Sequence, residues 1–96
     1  MRFSWDPRKS TRNLRERGFD YEFAALIFDG PTLEREDVRR EYGEPRMVAI
    51  GTAQGIPLTV VYTDRTEDGA TVRRIVSARV SSRHERKACF EAITRA

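Results

Sequence analysis

The segment Val72–Glu85, V-R-R-I-V-S-A-R-V-S-S-R-H-E, carries the strongest structural signal in this chain. Apolar residues alternate with polar ones over Thr71–Val80, which predicts a β-strand, and Ser82-x-x-Glu85 is a capping box that begins a helix. Several basic side chains therefore lie where a strand runs directly into a helix: Arg73, Arg74, Arg79, Arg83 and His84. Because arginine forks match phosphate oxygens and a helix N-terminus attracts anions, this segment is a candidate grip for an RNA backbone. The alternative is a set of solvated arginines on an exposed sheet face.

Two segments before it alternate in the same way and predict further strands, Arg46–Ala53 and Pro57–Arg65. Short turns that contain glycine, Gln54-Gly55 and Glu67-Asp68-Gly69, join these strands and the arginine-rich strand into antiparallel hairpins. Thr32–Val38 predicts a polar edge strand. The sequence therefore predicts an antiparallel meander sheet of about four strands.

The remaining elements are helices and one short strand. Phe3–Trp5 alternates like a strand, and Asp6-Pro7 begins a helix over Pro7–Arg17. Core spacing predicts a second helix over Tyr21–Phe28, and the capping box predicts a third from Ser82 to about Thr94. The expected fold is α+β in the order β-α-α-β-β-β-β-α, with two N-terminal helices and a C-terminal helix on one side of the sheet.

The bulk composition indicates a small globular protein of one domain, residues 1–96. Hydrophobic residues make up 39% of the chain, and no run approaches the ~18 apolar residues of a membrane span. The N-terminus lacks an apolar signal region, and the single Cys89 cannot form an internal disulfide, so we expect a cytoplasmic protein. Cys89 falls on the apolar side of the last helix, which favours a core position. We expect no metal site and no cofactor.

Charge is distributed unevenly around a net value of +3. Residues 1–19 and 46–96 each carry a net +4, while residues 20–45 carry −5. Sixteen of the eighteen cations are arginine, which favours phosphate recognition and is equally typical of a GC-rich genome. This pattern predicts a face that binds polyanions opposite an acidic face.

Three motifs in order resemble those of a known family. The N-terminal motif comprises Phe3, Trp5, Asp6, Lys9, Asn13, Gly18, Tyr21 and Glu22. The middle motif comprises Arg46, Ala49, Ile50, Gly51, Val60, Val61 and Tyr62. The C-terminal motif comprises Arg74, Ile75, Val76, Ser77, Ala78, Arg79, Glu85 and Arg86. Together they make the chain similar to the BrnT family of bacterial toxins.

This resemblance implies a RelE-like ribonuclease fold and a toxin that inhibits translation by cutting RNA without a metal. It also implies a BrnA-like antitoxin partner with a ribbon-helix-helix domain, through which the complex contacts operator DNA and represses its own operon. We expect the antitoxin to cover the arginine-rich face. The chain departs from the family pattern at Glu16-Arg17, where Lys-His is usual, at Val80, usually Lys, and around Cys89-Phe90, where Tyr is usual.

Metal-independent cleavage needs a base, an acid and cations that stabilise the phosphorane. We predict that Arg79 and Arg46 carry transition-state charge; the alternative is a structural role or pairing with the antitoxin. His84 and Glu85 are the candidates for proton transfer, beside Tyr62. The alternatives are that His84 is an exposed imidazole without a role, that Glu85 only caps the helix, and that the Tyr62 ring only packs.

The predicted RNA contacts are Lys9, Asn13, Arg17, Tyr62, Arg73, Arg74 and Arg83. Lys9 and Asn13 lie one helical turn apart and either share a phosphate or leave Asn13 to tie the helix to the sheet. Arg74 alternates onto the face of Val76 and Ala78, where packing or an ion pair competes with RNA contact.

Three functions remain open at this level. The first is an RNA-cleaving toxin of a two-protein operon. The second is a BrnT-like protein with weakened catalysis that acts as antitoxin partner or operon corepressor. The third is an unrelated α+β adaptor whose arginine-rich face binds an acidic protein.

Overall fold

The computed structural model describes residues 1–39 and 41–95 and contains a five-stranded sheet. In chain order the strands are β1 (Arg2–Ser4), β2 (Leu33–Glu36), β3 (Met47–Ala53), β4 (Ile56–Glu67) and β5 (Ala70–Val80). Their spatial order is β1-β5-β4-β3-β2. The last four strands pair antiparallel with their chain neighbours, which confirms the predicted meander.

The predicted sheet was wrong at one edge, because β1 adds a fifth strand parallel to β5. Arg2 pairs with Val72 and Ser4 with Arg74, so the sheet is mixed rather than purely antiparallel. Three residues are too few to signal a partner or a direction from their own pattern.

The helices begin and end close to the predicted residues. Helix α1 (Pro7–Arg17) ends at Gly18, whose φ of 87° is the left-handed conformation that favours glycine. Helix α3 (Arg83–Arg95) follows the predicted capping box. The second predicted helix is α-helical only over α2 (Tyr21–Ala24) and continues as a 3-10 segment over Ala25–Asp29. Among the described helices, none is long and apolar enough to cross a membrane.

Helices cover both faces of the sheet, so the prediction that they share one side was wrong. A Cβ atom on Gly51 would lie 3.1 Å from the Ile27 Cβ atom, which places the 3-10 segment against that face. The neighbouring Ile50 points to the other face, where α3 packs and Cys89 Sγ contacts the Ile50 carbonyl at 3.3 Å. Burial at four consecutive positions, Val48–Gly51, is typical of a strand covered on both faces.

The main hydrophobic core lies on the first of these faces, which we call the core face. Its buried members include Ala49, Leu58, Val60, Tyr62, Ile75 and Ala78 from the sheet and Phe19, Tyr21, Ala24 and Ile27 from the N-terminal segment. The opposite side, here the α3 face, carries Ile50 on β3, Thr59 on β4 and Arg79 on β5 in one row across the strands.

A β-bulge at Val76 decides which arginines share the α3 face. Val61 pairs with Ser77 and Tyr62 pairs with Ile75, so Val76 is the extra residue of β5. As a result, Arg74 lies opposite Thr63 on the same face as Arg79. The prediction that Arg74 shares the face of Val76 and Ala78 was therefore wrong. Its neighbour Arg73 turns to the core face, opposite Asp64.

Candidate functional site

The central pair of the α3 face is Arg79 and Glu85, which join β5 to the first turn of α3. The guanidinium nitrogens of Arg79 donate to both carboxylate oxygens of Glu85 at 2.6 and 2.8 Å. The Glu85 carboxylate also accepts from the Ser82 N–H at 2.8 Å, while the Ser82 hydroxyl accepts from the Glu85 N–H. Sequence analysis predicted both residues for the site, and the structure brings them into direct contact.

Electrostatics keep both partners of this pair charged. The pKa of the Glu85 carboxyl falls from 4.5 to about 2, chiefly because of the hydrogen bonds from Arg79, with the Ser82 N–H acting in the same direction and burial opposing both. The same bonds raise the pKa of the Arg79 guanidinium, while the nearby positive charge of Arg39 acts in the opposite direction. In the unliganded protein, Glu85 is therefore a weak base and the fork of Arg79 is occupied.

Arg46 lies directly before β3, one residue from Met47, and by alternation it faces the α3 side. Its guanidinium stacks on the Tyr42 ring at 4.1 Å and lies 3.8 Å from the Glu44 carboxylate. The buried Nε atom of Arg46 has no hydrogen-bond partner within residues 1–39 and 41–95. A charged donor held in this way retains capacity for an anionic ligand.

Lys9 and Arg74 extend the positive charge along this side of the sheet. Burial lowers the pKa of the Lys9 ammonium, and the charges of Arg46 and Arg74 act in the same direction. Lys9 Nζ donates to the Val76 carbonyl at 2.5 Å, so the side chain is held against the bulge. Three predicted site residues that are distant in sequence thus lie on this side of the sheet: Lys9, Arg46 and Arg74.

Two further predicted RNA contacts are placed differently, because Arg73 and Tyr62 meet on the core face. Arg73 donates to both carboxylate oxygens of Asp64 at 2.8 and 2.9 Å and stacks on the Tyr62 ring at 4.0 Å. Tyr62 is 3% exposed and its hydroxyl donates to Glu34. Burial raises the pKa of the Tyr62 phenol, and this hydrogen bond raises it further. This location favours the packing alternative for Tyr62, and it gives Arg73 an ion pair with Asp64 in place of RNA contact or free solvation.

Asn13 and Arg17 make contacts that hold the fold. Asn13 Nδ2 donates to the Phe19 carbonyl at 2.9 Å, which fixes the connection after α1. Arg17 donates to the Ala78 carbonyl at 2.9 Å, on the edge of β5 beyond the residues that pair with β1. Arg17 thereby occupies a backbone carbonyl that an edge strand otherwise exposes.

Arg83 and His84 are both exposed in the first turn of α3, beside the Arg79–Glu85 pair in sequence. Their position lets them reach a bound ligand, and it is equally the position of an idle surface side chain. The structure brings them near the site without fixing their side chains in it.

Sequence analysis missed one basic residue near the site, Arg39. Its guanidinium donates twice to the buried Asp37 carboxylate, at 2.8 Å each. These hydrogen bonds hold the pKa of Asp37 well below its usual range. Arg39 lies in the connection between β2 and β3, of which Arg40 is outside the described residues. No periodic pattern could have identified Arg39, because loop positions follow neither a helix nor a strand repeat.

The described part of the chain has no group of three or more His, Cys, Asp or Glu side chains placed to hold a metal ion. The predicted lack of a metal site stays a prediction.

The fold and the site define a small α+β protein whose sheet presents a cationic face beside a helix N-terminus. The sequence model of the family described as "ribonuclease toxin, BrnT, of type II toxin-antitoxin system" matches residues 5–85. Because the match covers most of the 96 residues, the chain belongs to this family of ribonuclease toxins, which confirms the predicted resemblance. Membership implies an antitoxin partner. A search of curated proteins finds no match to this chain.

Proposed function

We propose that the α3 face cuts RNA without a metal and that this cleavage inhibits translation in the cytoplasm. The observation that supports the proposal best is the placement of Arg46, Arg74 and Arg79 on one sheet face, with the fork of Arg79 beside a helix N-terminus. A RelE-like arrangement, in which a meander sheet presents its cations to RNA, is consistent with this placement.

The RNA phosphate takes the place of Glu85 on the Arg79 fork. A phosphate offers the same pair of acceptor oxygens as a carboxylate and carries its charge into the same site. Once Glu85 has lost Arg79, the main cause of its low pKa is gone, so the carboxylate becomes a stronger base. Substrate binding therefore switches Glu85 from a partner of Arg79 to a group able to accept a proton.

The reaction is an internal phosphoryl transfer. Glu85 accepts the proton of the 2′-hydroxyl, the 2′-oxygen forms a bond to phosphorus, and the bond from phosphorus to the 5′-oxygen breaks. His84 protonates the leaving 5′-oxygen, which gives a 2′,3′-cyclic phosphate and a 5′-hydroxyl. Arg79 and Arg46 stabilise the extra negative charge of the phosphorane. Lys9, Arg74 and Arg83 bind neighbouring phosphates.

The antitoxin is a BrnA-like protein with a ribbon-helix-helix domain. Type II systems pair a toxin with a protein antitoxin that neutralises it by direct contact, and family membership supports such a partner here. Operator DNA is bound through the antitoxin, and the complex represses its own operon.

Expression of wild type and Arg79→Ala in a bacterial host, with growth and total RNA followed, tests the proposal. The wild type should arrest growth and fragment RNA, while Arg79→Ala should do neither and should keep its circular dichroism spectrum. Purified wild type should cleave RNA equally with and without EDTA. Toxicity retained by a folded Arg79→Ala would remove Arg79 from the site, and loss of cleavage in EDTA would refute a metal-independent reaction.

A catalytically weakened partner or corepressor is the second candidate function. It is favoured by the low pKa of Glu85 and by Arg17, which stands where the family has a histidine and donates to the sheet edge. Folded wild type that binds antitoxin and operator but leaves growth and RNA intact would support this function over the enzyme.

A further inference from the structure

An apolar band surrounds the turn between β3 and β4. Six large hydrophobic side chains are exposed among residues 1–39 and 41–95, and four of them border this turn: Leu14, Ile56, Val80 and Phe90. Such clustering at one end of a small protein indicates an interaction surface, whereas single exposed apolar side chains are ordinary.

The band contains two cavities on opposite faces of the same hairpin. The first has a volume of about 550 Å³, lies on the core-face side and is lined by Leu14, Phe19, Phe23, Ile56 and Val80. The second has a volume of about 370 Å³ and lies between β3 and α3, where Ile50, Pro57, Cys89, Phe90 and Ile93 line it. The hairpin tip at Gln54-Gly55 separates the two cavities.

Cations stand at the border of each cavity. Arg17 lines the first and Arg86 lines the second. Asp20 also lines the first cavity, but its carboxylate already accepts from the Phe23 N–H at the start of α2. An occupant that places apolar side chains in the cavities and carboxylates at their borders would therefore match this surface.

We propose that this band is the docking site of the antitoxin, through an amphipathic segment with acidic flanking residues that straddles the β3–β4 hairpin. The inference rests on the proposed function for the existence of that partner. A second copy of the chain fits less well, because the borders of the band would then be cationic on both partners. A standard interface of about 800 Å² per partner would use roughly an eighth of the 6494 Å² surface, which the hairpin end can supply.

Docking of the antitoxin on this band explains how it neutralises the toxin. The second cavity lies between β3 and α3, on the sheet face that also carries Arg79. An antitoxin segment seated in it shares that face with the Arg79 fork and excludes RNA from the fork by bulk alone. The antitoxin then has no need to cover Arg46 or Arg74, in contrast to the expectation that it covers the arginine-rich face.

The test is the affinity of the full-length toxin for the full-length antitoxin encoded in its operon, measured by titration calorimetry at fixed salt. Val80→Ser in the first cavity and Phe90→Ser in the second should each weaken binding at least tenfold. RNA cleavage by the free toxin should stay unchanged. Val38→Ser is the matched control, because Val38 is also exposed and lies outside the band; its affinity should match the wild type.

Melting curves establish that each variant is folded, and Leu14→Ser replaces any variant that is not. Affinities of the band variants within twofold of wild type would overturn the inference, as would a loss of binding confined to Arg46→Ala and Arg74→Ala. Sedimentation that shows a wild-type dimer, dissociated by Val80→Ser, would make a second copy the occupant and would also overturn it. If the band variants lose the antitoxin while the wild type cleaves no RNA, the inference stands and the proposed ribonuclease activity fails.

Discussion

Replacement of Glu85 by glutamine separates the two roles of this residue. Glutamine still accepts the Ser82 N–H, so the helix cap remains, but the charge that binds Arg79 is gone. The fall in the pKa of Glu85 from 4.5 to about 2 corresponds to about 3 kcal/mol, at about 1.4 kcal/mol per pH unit. Arg79 is 48% exposed, and solvent screens the pair, so we expect a loss of about 1–2 kcal/mol in the free energy of unfolding.

The pH dependence identifies the origin of this loss. Because the folded-state pKa of Glu85 lies below the unfolded value of 4.5, its contribution is present above pH 4.5 and disappears as the pH falls toward 2. Urea unfolding should therefore show wild type more stable than Glu85→Gln at neutral pH, with most of the difference gone at about pH 2.5. Equal stabilities at neutral pH, or a difference that persists in acid, would refute this account of the pair.

The same variant tests the exchange of Glu85 for phosphate. Without a carboxylate in competition for Arg79, Glu85→Gln should bind a 2′-O-methyl RNA, which cannot be cleaved, up to about tenfold more tightly. It should cleave ordinary RNA more slowly, because the base is lost. Weaker binding by this folded variant would mean that Glu85 orients Arg79 for RNA rather than competing with it.

Two further comparisons use neighbouring or matched positions. Gly51→Ala should reduce the free energy of unfolding by about 1–3 kcal/mol in urea, because its Cβ atom would lie 3.0 Å from Thr32 Cγ2. Gly30→Ala has open space around its Cβ atom and should change stability by less than about 0.5 kcal/mol; equal losses would refute the packing argument. Arg73→Gln should lower stability by about 2 kcal/mol and leave RNA affinity unchanged, because Arg73 is 13% exposed and paired with Asp64. Arg74→Gln should leave stability unchanged, weaken RNA binding and reduce the slope of log affinity against log salt by about one. A loss of RNA affinity in Arg73→Gln together with a loss of stability in Arg74→Gln would refute the placement of these arginines.

Local chemistry allowed much of the fold to be predicted from the sequence. Asp6-Pro7 and the Ser82–Glu85 box begin helices because their side chains bind free N–H groups, and the structure has these contacts. The meander followed from alternating strands and short glycine turns. In each case the signal and the structure it specifies lie within a few residues of each other.

The covering of the sheet could not be predicted from the same signals. The alternation of β4 and β5 suggested one buried face, yet β3 is buried on both sides because α3 packs against Ile50. Which helix covers which face depends on the direction in which the chain leaves Val80, and no local pattern specifies that direction. The parallel pairing of β1 with β5 could not be predicted either, because no local pattern specifies it.

The arrangement of the site depends on Val76, whose side chain has no polar or charged group. Arg74 and Arg79 are five positions apart, so strict alternation would place them on opposite faces of β5. The extra residue at Val76 restores them to one face and sends Arg73 to the aromatic rings of the core face. The sequence V-R-R-I-V-S-A-R contains both arginines and the valine, but nothing in a single sequence marks which valine is bulged. The composition of the site was therefore predictable as an arginine-rich strand, whereas the choice between Arg73 and Arg74 required the register of β4 against β5.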